Sequence, residues 1–338
     1  MLTIQTNQSL KSLNTFGIEV NAKYYVTPAN EDEILEILNN ESMADVPRFI
    51  LGGGSNVLFT KDYDGIVIHP QIKGIEKIDE DETHVWLCVG SGVVWDVFVA
   101  YCVKNNWGGI ENLSFIPGNV GAAPVQNIGA YGVEAKSVID EVYGLYLEDG
   151  EPFCLNNAEC EFGYRDSVFK NELKGKAIIT EVTFKLTKRP IYVTHYGNIE
   201  EELTRNYSKV NIQNIRKAII TIRERKLPDP AKLPNAGSFF KNPVVSLSLA
   251  EELKKEYDNM PFFPIDKANA KLAAAWLIEK CGWKGKHIGK VGVHEHQALV
   301  LVNYDGGNAS ELTQLATDVQ QSVKEKFGVT IEPEVIFV

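Results

Sequence analysis

The chain has 338 residues, 44% of them hydrophobic and 23% charged, with a formal net charge of −11. That length calls for two or three packed domains, and the composition is that of a globular chain, which excludes disorder. The acidic balance argues against nucleic acid or an anionic membrane as partner. An anionic ligand would then be held by backbone N–H groups and a few local cations.

Residues 1–14 lack the apolar segment of a secretory signal, and no apolar run approaches membrane-spanning length, so a cytoplasmic protein is expected. Residues 23–27 are β-rich. Asn30 then starts a helix with Glu33 at its third position and Ile34, Ile37 and Leu38 on one face. A strand at 48–51 runs into Leu51-Gly52-Gly53-Gly54-Ser55-Asn56, and strand-like runs follow at 66–68 and 85–89. Residues 95–105 read as a helix with Trp95, Val99, Cys102 and Val103 on one face. After the small-residue run 116–132, IPGNVGAAPVQNIGAYG, come a strand at 138–147, a capped turn at Asn156-Asn157-Ala158-Glu159 and a strand at 177–186. Helix signals follow at 212–227, 248–257, 270–281 and 310–327, around a strand at 298–302, with Pro228, Pro230 and Pro234 interrupting the chain. The pattern is α+β with mainly antiparallel strands, and a second domain is expected from about residue 205.

The two small-residue runs carry the strongest hint of function. Ordering glycine costs more entropy than ordering any other residue, so such runs need a reason. Each alone could be a tight packing corner. Both in one half of the chain suggest a ligand with a long spine, such as a dinucleotide. Neither Gly52-Gly53-Gly54 nor Gly90-Ser91-Gly92 continues as the G-x-G-x-x-G nucleotide fingerprint, and no G-x-x-x-x-G-K-[ST] or G-x-S-x-G is present. His294-Glu295-His296 lacks a third ligand cluster, so no metal site is expected. The five cysteines form no C-x-x-C pair and suit a reducing compartment.

Seven islands carry a resemblance over nearly the whole chain: Asn14-Thr15-Phe16-Gly17, the Gly52 run through Leu58, residues 116–132, Phe162-Gly163-Tyr164-Arg165-Asp166-Ser167, Lys226-Leu227-Pro228-Asp229-Pro230, Ala236-Gly237-Ser238-Phe239-Phe240-Lys241-Asn242-Pro243 and Glu332-Pro333-Glu334-Val335. In this order they resemble the UDP-N-acetylenolpyruvoylglucosamine reductases (MurB). The first glycine run alone would mark only the wider vanillyl-alcohol-oxidase fold. The resemblance implies a vanillyl-alcohol-oxidase/PCMH-type FAD-binding fold in residues 1–204, in two subdomains split near 70. A C-terminal α+β substrate domain would span 205–338, its last strand returning toward the FAD site. It also implies a monomer that binds FAD non-covalently and takes hydride from NADPH. The substrate would be UDP-GlcNAc-enolpyruvate, reduced to UDP-N-acetylmuramate for peptidoglycan.

Residue by residue, the resemblance implies that Arg165, Ser238 and Glu334 are catalytic. Hydride arriving at the vinyl carbon leaves charge on the neighbouring carbon, delocalised into the carboxylate. Arg165 offers a planar fork to that carboxylate, and Ser238 an O–H to the carbon. Glu334 is expected to stay protonated or hydrogen-bonded beside it. Gly52, Gly53, Gly54, Ser55, Asn56, Pro117, Gly118, Gly121, Ala122, Gln126, Asn127, Gly129, Ala130, Tyr131 and Gly132 would hold the FAD, with Gln126 and Asn127 adding side-chain amide bonds. Neither run contains His or Cys, so no covalent flavin link is expected. Tyr196 matches the substrate-closing tyrosine loop of one subtype, and Lys226, Asn242 and Gln297 match positions that contact the uridine diphosphate. The chain departs from the family pattern at Ile336, where Arg is common, and at Asn119 and Ala122. Two other readings stay open: an oxidase of the same FAD fold, and a flavin- or nucleotide-binding module without turnover.

Overall fold

The computed structural model describes residues 2–338, which divide into two compact units. The first comprises residues up to Gln8 with Asn21–Gly54 and Tyr63–Arg225; the second comprises Ser9–Val20, Ser55–Asp62 and Lys226–Val338. The second unit thus takes two short segments from the N-terminal part of the chain.

In the first unit, Asn21–Val26 and Arg48–Ile50 each lie parallel to Tyr63–Ile68. Helix α1 (Glu31–Leu38) covers them, its Asn30 side chain accepting from the Glu33 N–H while the Glu33 carboxylate accepts from Ala29. Ile34 and Ile37 bury against Val26, Ile66 and Ile68. A five-stranded antiparallel sheet follows in the order Pro152–Asn156, Ile139–Tyr146, Ala177–Thr187, His84–Gly90, Ile75–Glu80. Helix α2 (Trp95–Lys104) packs Trp95 and Phe98 against Phe184 of this sheet, burying a cluster of three aromatic rings. Two further helices, α3 (Ile199–Asn206) and α4 (Ile212–Lys226), close on Ile199, Leu203, Ile215, Ile219 and Ile222. The sequence carries no apolar helix signal at α3, which offers only two buried apolar residues. Its signature is electrostatic instead: Glu200, Glu201 and Glu202 crowd the first turn, where the helix dipole favours acids.

The second unit holds an antiparallel sheet ordered Asn235–Ser238, Val300–Asn303, Val291–Val293, His287–Ile288. A smaller sheet, Val244–Ser246, Asn269–Leu272, Phe262–Pro264, lies in the same unit. Helices α5 (Leu247–Glu256), α6 (Ala274–Lys280) and α7 (Ala309–Phe327) complete it. The helix expected at 270–281 is corrected here: residues 269–272 form a strand, and α6 begins only at Ala274. Ala-Lys-Leu favours helix locally, but this segment is the central strand of its sheet. Pairing on both edges and burial of Ala270 and Leu272 at period two override the propensity. Among the described residues no helix is long and apolar enough to cross a membrane.

Candidate active site

In the first unit the two small-residue runs form one cradle. A β-carbon on Gly53 would lie 2.7 Å from the Cα of Gly118, and one on Gly52 would lie 3.2 Å from the Ala122 side chain. Backbone therefore meets backbone where any larger residue would force the runs apart. Gly118 sits at φ +116, a conformation that costs other residues strain. Gly54 ends the first run, and Ser55 and Asn56 continue into the second unit.

The run 116–132 is held under strain. Among the described residues eight other than glycine have positive φ. Phe115, Asn127 and Tyr131 lie in or next to the run, and Arg165 and Asn198 lie against it or beside a residue that does. Strain concentrated in one place must be held by surrounding structure, and it marks functional sites more often than not. Here the restraint is polar. The Asp96 carboxylate accepts from the Phe115 N–H at 2.5 Å and takes both Arg216 Nη groups at 2.6 and 2.8 Å. Arg223, two turns further along α4, donates from Nε to the Phe115 carbonyl at 3.1 Å and bonds the Tyr131 hydroxyl. One face of α4 therefore grips the run near both ends. Burial alone would raise the Asp96 carboxyl, but the bonds from Arg216 and Phe115 outweigh it and hold it below the ordinary value.

Asn127 is fully buried, and its amide is committed inside the protein. It donates to Glu134 and to the Gly163 carbonyl and accepts from the Lys136 N–H. What it offers a ligand is backbone. Arg165 reaches the run directly: Nη2 donates to the Gly129 carbonyl at 2.6 Å, and a β-carbon on Gly129 would lie 2.9 Å from Nη1. Its own carbonyl accepts from Lys170 Nζ at 3.0 Å, fixing the left-handed backbone that aims the side chain.

Tyr196 joins the same group. Its ring lies so close to Gly132 that a β-carbon there would approach it to 2.3 Å, and Gly197 packs against the Tyr131 ring. Buried Asn112 ties the two segments, donating to the carbonyls of Tyr131 at 2.9 Å and Val193 at 2.8 Å. Asn112, Asp96, Arg216 and Arg223 were not singled out from the sequence. The Asp96–Arg216 pair spans 120 residues and leaves no local signal.

In the second unit Ser238 and Glu334 sit on a short antiparallel ladder. Glu334 N–H donates to the Phe239 carbonyl at 2.7 Å, Phe240 bridges Pro333, and Lys241 N–H donates to the Glu332 carbonyl at 2.9 Å. Ser238 pairs with Val300, and the register slips between Asn235 and Ser238. Gly237 makes that slip, at φ +68 with its N–H on the Asn235 side chain. Such irregularities re-aim the next side chain, which here is Ser238. The terminal strand Ile336–Phe337 lies parallel to Val57–Leu58, and the Phe239 ring contacts Phe16, Phe240 and Phe337 edge-on.

The remaining candidates fall in this unit as well. Lys226 ends α4, Asn242 accepts the Ala274 N–H at the start of α6 with its side-chain oxygen, and Gln297 lies in the turn before Val300–Asn303. His294 and His296 follow the Val291–Val293 strand with rings 5.5 Å apart and perpendicular. Among the described residues no group of three or more His, Cys, Asp or Glu side chains gathers as metal ligands would.

Residues 229–338 match the UDP-N-acetylenolpyruvoylglucosamine reductase C-terminal domain, and residues 22–152 match an FAD binding domain. The chain is 49% identical to the UDP-N-acetylenolpyruvoylglucosamine reductase of Amoebophilus asiaticus over 335 residues, 99% of each chain. Among solved structures it is similar to UDP-N-acetylenolpyruvylglucosamine reductase (MurB) from Thermus caldophilus, with a TM-score of 0.69 and 22% identity over 100% of this chain and 98% of that one. It is also similar to p-cresol methylhydroxylase, with a TM-score of 0.50 and 11% identity over 96% of this chain and 83% of the other. At those identities the solved structures speak to fold alone. The fold is the α+β, vanillyl-alcohol-oxidase type expected from the sequence.

Proposed function

This chain belongs to the UDP-N-acetylenolpyruvoylglucosamine reductase family, and on that premise we propose that it reduces UDP-N-acetylglucosamine enolpyruvate to UDP-N-acetylmuramate with FAD and NADPH, as a cytoplasmic monomer supplying peptidoglycan precursors. The first-unit cradle fits FAD: its bare backbone leaves room for close approach by a flat or phosphorylated group, and a β-carbon at Gly53 would abolish it. Gly52, Gly53, Gly54, Gly118, Gly121 and Gly129 would present backbone to it, with no covalent link. When bound, FAD supplies the hydride chemistry, accepting from NADPH and delivering to the vinyl carbon.

The chain's own groups then handle charge and proton. Arg165 engages the carboxylate of the substrate with its guanidinium, in a fixed direction set by its bond to Gly129. Negative charge that develops toward that carboxylate is stabilised by donors already in place, which need no reorganisation. Ser238 Oγ gives its proton to the carbon next to the carboxylate, completing the reduction. Glu334, in protonated or hydrogen-bonded form, supports the carboxylate. Lys226, Asn242 and Gln297 take the uridine diphosphate, and Tyr196 closes over the substrate.

The observation that carries this reading is the ladder of residues 239–241 with 332–334, which sets Ser238 one residue from the partner of Glu334. The test is anaerobic. NADPH should bleach the flavin, and the enolpyruvyl nucleotide should restore its colour. Ser238→Ala should bleach normally and recover about 10² to 10³-fold more slowly. Oxygen consumption without recovery by the nucleotide would favour an oxidase instead.

A further inference from the structure

We propose that Asn56 is a positioning residue for Glu334, a role distinct from the cofactor contact that its place in the glycine run suggests; the inference rests on the function proposed above. Asn56 belongs to the second unit, the same unit as Glu334. Its Nδ2 donates to the Glu334 carbonyl at 3.2 Å, and its own carbonyl accepts from the Ile336 N–H at 3.0 Å. Asn56 therefore brackets Glu334 and Ile336, two residues apart.

The other side of the same residue is held by the ladder, where the Glu334 N–H reaches the Phe239 carbonyl at 2.7 Å. Glu334 thus has both backbone groups occupied, one by the Ser238 strand and one by Asn56. Beyond it, the Thr60 N–H and hydroxyl both reach the Val338 carbonyl at 2.8 Å, and Val338 N–H reaches the Leu58 carbonyl at 3.0 Å. These later bonds tie the terminal strand to its neighbour beyond residue 334. The Asn56 amide holds the peptide plane that follows Glu334, and together with the ladder bond before it sets the backbone from which the carboxyl projects. A loss of alignment of about 1 Å at a reacting group costs on the order of 10²-fold in rate.

The experiment uses the flavin-loaded enzyme. In Asn56→Ala, at a position also counted among those that would hold the FAD, bleaching of the flavin-loaded enzyme by NADPH should slow by less than reoxidation does. Reoxidation by the enolpyruvyl nucleotide should fall about 10 to 100-fold. In a Glu334→Gln background the same substitution should cost less than about twofold more, because the group it positions is already gone. The Glu334 N–H keeps its Phe239 partner and only its carbonyl loses a donor, so the carbonyl carbon resonance of Glu334 should move in the direction of a weaker hydrogen bond. Should Asn56→Ala fail to fold, Asn56→Asp keeps the volume and removes the donor, and the same expectations apply. Bleaching slowed as much as reoxidation, or an undiminished loss in the Glu334→Gln background, would overturn the proposal, as would an unmoved Glu334 carbonyl resonance. If wild-type enzyme itself is not reoxidised by the nucleotide, the functional reading falls, while the Glu334 carbonyl resonance still decides whether Asn56 holds that residue.

Discussion

Residues 116–132 and residues 235–241 are both rich in small residues, yet each holds its candidate groups by different means. In the first unit, backbone passes backbone with no side chain between, and the resulting strain is countered by long polar arms from α4 and α2. In the second, Ser238 and Glu334 are placed by ordinary ladder hydrogen bonds between segments about a hundred residues apart. A cradle for a ligand has to stay open and bare, so its supports must come from outside. A pair of reacting side chains has to be aimed, and a ladder aims them at little cost in strain.

That contrast can be broken at its polar arms first. Arg216→Ala leaves Asp96 largely enclosed without its bidentate partner and should destabilise the protein by roughly 3 kcal/mol in a urea titration. The pH dependence follows from the depressed Asp96 carboxyl. Its contribution is complete above the unfolded value of about 3.9 and is lost as pH falls through the lower folded value. Arg216→Ala should therefore flatten the acid limb of the stability profile. A variant that keeps the wild-type limb would remove Asp96 from the argument.

Gly53→Ala comes next. The added carbon meets Gly118 Cα at 2.7 Å, both of them backbone, so the runs must part at a cost of about 2 kcal/mol. Its purified form should carry less flavin than wild type. Gly237→Ala probes the second unit and should behave otherwise. No atom lies within 4 Å of the new carbon, so the cost is the left-handed backbone alone, about 1 to 2 kcal/mol. Flavin content should hold while turnover falls with the aim of Ser238. Equal flavin loss in the two glycine variants would erase the distinction between the regions. The smallest effect is the control: Asn30→Ala removes a helix cap distant in sequence from either region and should cost about 1 kcal/mol without altering flavin reduction.

Local patterns explain most of what the sequence made legible. The Asn30 cap, the 177–186 and 212–227 elements and both small-residue runs declare themselves within a few residues, through periodicity, capping chemistry or the absence of bulk. Where neighbours in space set the outcome, reading failed. Residues 270–272 read as helix because the strands they pair with lie elsewhere in the chain, and α3 gives little local signal because its buried Glu202 is balanced by Arg225, twenty-three residues later. Arg165, Ser238 and Glu334 stand out only through the family resemblance, and nothing in their neighbouring sequence distinguishes them from loop residues.

By itself, then, the sequence determined most of the element types, the acidic balance and the need for a bare, glycine-lined approach to some ligand. Only the tertiary structure decided that the two glycine runs touch, that α4 holds one of them at both ends, and that residues 55–62 fold with the C-terminal unit, where Asn56 meets Glu334. The reason is physical. Propensity and periodicity act over a few residues, whereas hydrogen bonds spanning 120 or 278 positions exist only after the chain has collapsed and depend on packing that no local window contains.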